Sequence, residues 1–257
     1  MANSHRSRSH SPSARKSQRE KRPTRGTPPH GNTQHHKRRK RRNLTPREEL
    51  LALHREIFLE NKKRIDRGVI DETGELPRYR GAYTRNTSNY AAISNFNEVT
   101  EAAKAADVIF IGDFHTNKQS QKLYLSVVKK LVQEKRPVVL AMELIPSRHQ
   151  KIVSKYLASD IEEDQFLEQI QFHKHWPFDN WENFKPIFDY AKKEKLPMAG
   201  IDRKAEGHKS LRARDDHAGE VIADLAIENP GAIILVLIGD LHVAPSHLPR
   251  ALKSATS

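Results

Sequence analysis

Val108-Ile109-Phe110-Ile111-Gly112-Asp113-Phe114-His115 is a short apolar run closing on glycine, acid and histidine. Ile233-Ile234-Leu235-Val236-Leu237-Ile238-Gly239-Asp240-Leu241-His242 repeats that ending more than a hundred residues later. Unbroken apolar runs of this length read as strands buried on both faces, as parallel sheets require. Two further runs lie between them: Val138 to Met142, opened by Pro137, and Pro197 to Ile201. Helical patterns separate the runs. One carries Leu123, Val127, Val128 and Leu131; others pass through Tyr156-Leu157 and Phe166 to Ile170. Trp181 to Glu194 follows, its regular part expected from near Pro186, and then Arg214 to Ile227. Apolar strands alternating with amphipathic helices specify an α/β fold: a mostly parallel sheet with helices on both faces and a ligand site at the carboxyl ends of its strands.

Upstream, Thr45-Pro46-Arg47-Glu48 has the form of a helix start, with Thr45 as cap, Pro46 first in the helix and Glu48 closing a capping box. Leu50, Leu53, Ile57 and Phe58 supply an apolar face, and Gly68 is the expected stop. Val69 to Asn97 is turn-rich and weakly periodic. Met1 to Arg42 holds 14 Lys or Arg and one acid, Glu20, so it accounts for the entire net charge of +13. The pI of 9.9 therefore describes this tail and not the rest of the chain. The tail has too little apolar surface to offset ordering entropy, so disorder is expected. Its Lys37-Arg38-Arg39-Lys40-Arg41-Arg42 block suits weak, salt-sensitive polyanion binding, or serves only as a solubilising extension. The expected division is a disordered basic tail over 1–43, a helical and loop-rich lead-in over 44–96, and an α/β domain over 97–257.

With no cysteine in 257 residues, disulfide scaffolds, thiolate zinc sites, iron–sulfur clusters and cysteine nucleophiles are excluded. The longest apolar run, Ala232 to Ile238, is far shorter than a membrane-spanning helix. No apolar segment follows the basic N-terminus, so a soluble, cytoplasmic protein is expected. No Gly-x-Ser-x-Gly elbow, phosphate loop, dinucleotide fingerprint or His-Glu-x-x-His occurs, leaving the usual serine-hydrolase, NTPase and zincin readings without sequence support.

The chemistry gathers where the strands end. They close on Asp113 and His115, Glu143, Asp202 and Arg203, and Asp240 and His242. In extended chain, Asp113 and His115 project to one side, and so do Asp240 and His242. Strands converging on one rim then bring together two imidazoles and up to four carboxylates. Such donors suit Mn, Co, Zn or Fe, with Asp113, His115, Glu143, Asp240 and His242 as the metal set. Alternatively, Asp113 and Asp240 cap the helices that follow them. Arg203 is placed to clamp a carboxylate or phosphate, or else to pair with Asp202 or Asp113. His173-Lys174-His175-Trp176 reads as a loop over the rim or, preferably, as a surface loop with a buried tryptophan. Arg214-Asp215-Asp216-His217 opens a helix, where acids are ordinary. Tyr124 and Tyr190 read as core-edge residues.

These motifs resemble the superfamily of ChaN-like haem-binding proteins, Tiki-type metalloproteases and erythromycin esterase-like hydrolases. Gly112-Asp113-Phe114-His115 looks like its first motif, with Asp in place of Glu. Glu143 looks like its strand-end glutamate, and Gly239-Asp240-Leu241-His242 like its late Gly-x-x-His. Trp176, the Lys185-Pro186 region and Arg214-Asp215 are similar to ChaN-like sequences in particular. The resemblance implies a domain holding haem or a divalent metal at its rim, with His115, His242, Arg203 and His175 toward the cofactor and a homodimer enclosing it. Its alternative is a metal-dependent esterase or peptidase with Glu143 and His242 in catalysis. The chain lacks the cysteine of lipid-anchored members. It has fifteen residues after His242 where the family usually has more, which implies truncation.

Overall fold

The computed structural model describes residues 44–68, 74–88, 94–203 and 210–257. The basic tail and the short stretches 69–73, 89–93 and 204–209 lie outside the described residues, as do the expectations attached to them. Thr45–Ser257 form one compact unit.

Three helices, α1 (Pro46–Gly68), α2 (Leu76–Thr87) and α3 (Phe96–Lys104), precede the sheet. The capping box at Thr45 forms as expected: Glu48 N–H donates to Thr45 Oγ1 at 3.3 Å and Thr45 N–H to Glu48 Oε2 at 2.8 Å. The apolar face of α1 does not become core. Leu50, Leu53, Ile57 and Phe58 stay about half exposed, and Phe58 finds one ring, Phe114, at 5.6 Å.

The sheet holds four parallel strands: β1 (Val108–Asp113), β2 (Val138–Pro146), β3 (Met198–Asp202) and β4 (Ile233–Gly239), in the order β1-β4-β2-β3. Between β1 and β2 runs α4 (Lys118–Gln133). Between β2 and β3 run α5 (Gln150–Leu157), α6 (Glu163–Gln169), α7 (Phe172–His175) and α8 (Trp181–Glu194). Next comes α9 (Leu211–Glu228), and α10 (Leu248–Ala255) closes the chain after β4. Pro186 sits inside α8 without delaying it, because Trp181 already begins the helix.

Period-two alternation divides the core between the two faces. Val138, Leu140, Met142, Leu235 and Leu237 pack with residues of α4 to α8, whereas Val139, Ala141, Ile234, Val236 and Ile238 pack with α9 and Leu248. The connectivity explains the split. Connections from β1 to β2 and on to β3 advance across the sheet, while β3 to β4 runs back. Crossovers of one hand then place α9 on the opposite face. Within α4 the buried stripe is Tyr124, Val127, Val128 and Leu131, with Leu123 outside at 44% exposure. Tyr124 is fully buried and donates to the Leu235 carbonyl at 2.8 Å.

Candidate functional site

The last strand inserts between the first two, and that placement assembles the site. Asp113 pairs with Gly239, while Gly112 pairs with Ile238, so the two Ile-Gly-Asp segments lie side by side but one residue out of step. With a side-chain period of two, that offset sends equivalent residues to opposite faces. Asp113 projects toward α4. After Gly239 the chain turns into a 3₁₀ helix, Asp240–Val243, so Asp240 and His242 do not share a side as extended chain would require. Asp240 turns instead to Tyr83 of α2.

On the first strand end, Asp113 Oδ1 accepts from Gln121 Nε2 at 2.5 Å and Oδ2 faces His115 Nδ1 at 3.0 Å. The helix cap here is Asn117, which accepts from Gln119 N–H, so Asp113 is not a cap. Asn180 Nδ2 donates to the His115 carbonyl at 2.6 Å, and Trp176 Nε1 donates to Asn180 at 2.8 Å. The imidazole lies 4.8 Å from the Trp176 ring and 5.1 Å from Phe178, with its side chain 16% exposed. Burial alone lowers its pKa, but Asp113 outweighs burial, helped by Glu143 and Asp240, so the pKa is raised above 6.5.

At the second strand end the register between β2 and β3 slips between Met142 and Pro146. Irregularities of this kind re-aim side chains. The slip is possible because Gly200 lies beneath it: a Cβ there would stand 2.5 Å from the Ile145 carbonyl oxygen. Glu143 opens the irregular stretch and turns toward β4, where its Oε2 accepts from Gly239 N–H at 2.6 Å. Gly239 is needed for this approach, since a Cβ would lie 3.1 Å from the His115 ring and 3.2 Å from Glu143 Oε2. Arg214, from the first turns of α9, donates through Nη2 to Glu143 Oε1 and through Nε to Asp202 Oδ1 at 2.8 Å. Burial favours the neutral Glu143. Arg214 overrides it, with His115, His242 and the Gly239 amide adding, and holds the carboxyl well below its ordinary range.

At the fourth strand end His242, 5% exposed, sets Nδ1 2.5 Å from Asp215 Oδ1, and Tyr79 of α2 donates to Asp215 Oδ2 at 2.9 Å. Its Nε2 lies 4.0 Å from Glu143 Oε1. Two chains of the same chemistry therefore flank Glu143: Gln121–Asp113–His115 and Tyr79–Asp215–His242. Each fixes Nδ1 of its histidine with a carboxylate. Tyr79 also stacks on His247 at 3.9 Å, while Glu75, the residue before α2, accepts from Leu211 N–H at 2.6 Å and from Ser210.

Of the residues expected at the site, Asp113, His115, Glu143 and His242 gather, with Asp202 joined through Arg214. Asp240 stands at the edge, its pKa raised chiefly by burial. His175 Nε2 faces Gln171 Oε1 at 3.0 Å and Arg148 at 3.5 Å, and its neighbour Trp176 is the residue that touches His115. Arg203 follows β3 directly, and the partner that Asp202 takes is Arg214. Tyr79, Gln121, Asn180 and Asp215 were not legible as site residues. Among them only Asp215 had a signal, as part of the Arg214-Asp215 pair that opens α9.

Four parallel strands presenting acids and histidines at their carboxyl ends, between helices on both faces, define a rim-site α/β domain. Residues 99–210 match the model of the family described as haem-binding uptake, Tiki superfamily, ChaN. The resemblance carried by the strand-end motifs is thus found over that stretch. It contains Asp113, His115, Glu143, Trp176 and Arg203, whereas Arg214, Asp215 and His242 lie beyond it. Comparison with curated proteins finds no match. Among solved structures, ChaN of Campylobacter jejuni, described with cofacial haem binding, aligns at 13% identity over 64% of this chain and 82% of that one, TM-score 0.48. The C-terminal region of Pasteurella multocida toxin, described with a thiol-protease-like catalytic triad, aligns at 17% over 64% and 24%, TM-score 0.44. RRSP, a MARTX toxin effector domain of Vibrio vulnificus, aligns at 16% over 67% and 39%, TM-score 0.43. Among the described residues no helix is long and apolar enough to cross a membrane.

Proposed function

We propose that the strand-end site binds haem, with His115 as the iron ligand. One observation carries this reading: His115 has Nδ1 held by Asp113, keeps its ring partly exposed, and packs against the mutually contacting rings of Trp176 and Phe178. An imidazole anchored this way offers Nε2 to a metal, and its carboxylate partner strengthens it as a donor. Haem would supply an iron for this nitrogen to hold, and the half-buried Phe178 ring would offer apolar surface to the macrocycle. Since the His115 pKa is raised, a proton competes with iron, and affinity should weaken as pH falls through that value.

A bare divalent ion fits less well. Glu143 and Asp202 both pair with Arg214, Asp215 serves His242, and among the described residues no three His, Asp or Glu stand ready to hold an ion. Hydrolysis is the second reading, favoured by the Tyr79–Asp215–His242 chain, which directs Nε2 toward Glu143 as acid–base machinery. Arg203 and His175 as further haem contacts, a homodimer around the cofactor, and polyanion binding by the tail belong to the same proposal.

Haemin titration of the full chain tests it. A shifted Soret band that His115→Ala removes, with unchanged far-ultraviolet circular dichroism, is the expected result. No shift, or the same shift in the variant, overturns the assignment. Turnover in an esterase and peptidase panel, lost in His242→Ala, would favour the second reading instead.

A further inference from the structure

Ser147 is the first residue after β2, and its Oγ lies 2.8 Å from His217 Nε2 on α9. Seventy residues separate the two in sequence, and no nucleophile-elbow pattern announces them. From this juxtaposition we propose that Ser147 is a nucleophile with His217 as its base, forming an ester-cleaving acyl-transfer pair apart from the His115 and His242 chains.

Four features carry it. The separation is within the range in which an imidazole accepts a hydroxyl proton. Both side chains are half-buried, so they are held in place and still within reach of a substrate. The pair also stands at the carboxyl ends of the strands, where α/β folds bind ligands, since Pro146, the residue before Ser147, pairs with Asp202 at the end of β3. His217 is borne on a rigid element. One helical turn before it, Arg214 ties α9 to Glu143 and Asp202, and Asp215 ties it to His242.

With the ring proton on Nδ1, His217 Nε2 accepts the Ser147 hydroxyl proton as Oγ bonds to an ester carbonyl carbon. The tetrahedral adduct collapses, the bond from carbon to the leaving oxygen breaks, and the imidazolium returns its proton to that oxygen, releasing an alcohol. A water deprotonated by the same nitrogen then attacks the acyl-serine, releasing the acid and restoring the serine hydroxyl. No metal, oxidant or reductant is consumed.

A fluorophosphonate probe tests the pair on the intact protein, because Oγ attack at phosphorus with loss of fluoride leaves a stable adduct that peptide mass mapping locates. Labelling is expected at Ser147, and His217→Gln should slow it on the order of a hundredfold or more, with an unchanged melting curve. Haemin binding is read on His115→Ala and labelling is read at Ser147, so the two losses report on different residues. Labelling absent from Ser147 in the wild-type protein overturns the nucleophile. An unchanged rate in His217→Gln overturns the base. Mapping on the wild-type chain keeps the outcome decisive even where a Ser147→Ala variant does not fold.

Discussion

The two Ile-Gly-Asp-x-His segments are alike in sequence and unlike in use. At the first, the strand continues through Asp113, so the carboxylate passes beneath α4, meets Gln121, and anchors a partly exposed His115. At the second, the strand stops at Gly239, the chain coils, Asp240 swings to Tyr83, and His242 is enclosed with Asp215. A one-residue offset in register thus converts a repeat into two different imidazoles. The outer one keeps part of its ring exposed. The inner one is enclosed, its Nε2 4.0 Å from Glu143 Oε1.

Arg214 lies between these halves, and its removal should have the largest effect. Arg214→Met leaves two buried carboxylates without a cation, and urea unfolding at neutral pH should show a loss of about 3–5 kcal/mol. The pH dependence carries a sign. Glu143 has a lowered folded-state pKa, so its contribution is complete above about 4.5 and fades as pH falls through the lowered value. Without Arg214, burial pushes that pKa upward, so the deficit of the variant should shrink in acid. A deficit independent of pH would mean that Arg214 acts by packing alone.

Asp113→Asn separates the two histidines next. It should lower the His115 pKa, read by NMR titration of the ring proton, and cost about 1–3 kcal/mol. Because the His115 pKa is raised on folding, the lost stability belongs to pH below 6.5 and vanishes as pH rises through the folded value. Asp215→Asn should leave the His115 titration in place; if it moves as far, the two chains form one coupled unit. Smallest is Tyr79→Phe, expected to cost about 1 kcal/mol in thermal unfolding, since Asp215 keeps His242. An unchanged melting temperature would show that the Tyr79 stacking on His247 holds α2 without the hydroxyl.

Much of the frame was legible. The four apolar runs became four strands, extended at their carboxyl ends by one residue in β3 and β4, two in β1 and four in β2. Those extensions matter, because a strand end decides which face the next side chain meets. The metal reading of the acid cluster rested on counting carboxylates. The pairing of Arg214 was not legible, because a cation on a helix start 71 residues from Glu143 reveals no partner in sequence. Tyr79 was hidden more deeply, in a stretch without usable periodicity. The apolar stripe of α1 was visible as a pattern, but the described unit covers little of it.

From the chain alone came the alternation of strand and helix, the glycines that end β1 and β4, and the acids and imidazoles that follow, since these are local properties of composition and spacing. Tertiary structure alone decided that β4 enters between β1 and β2, that its motif is one residue out of step, and that α9 brings Arg214, Asp215 and His217 to three different strand ends. The order of strands and the depth of a register depend on which apolar faces bury one another, a cooperative choice among distant segments that no single segment records.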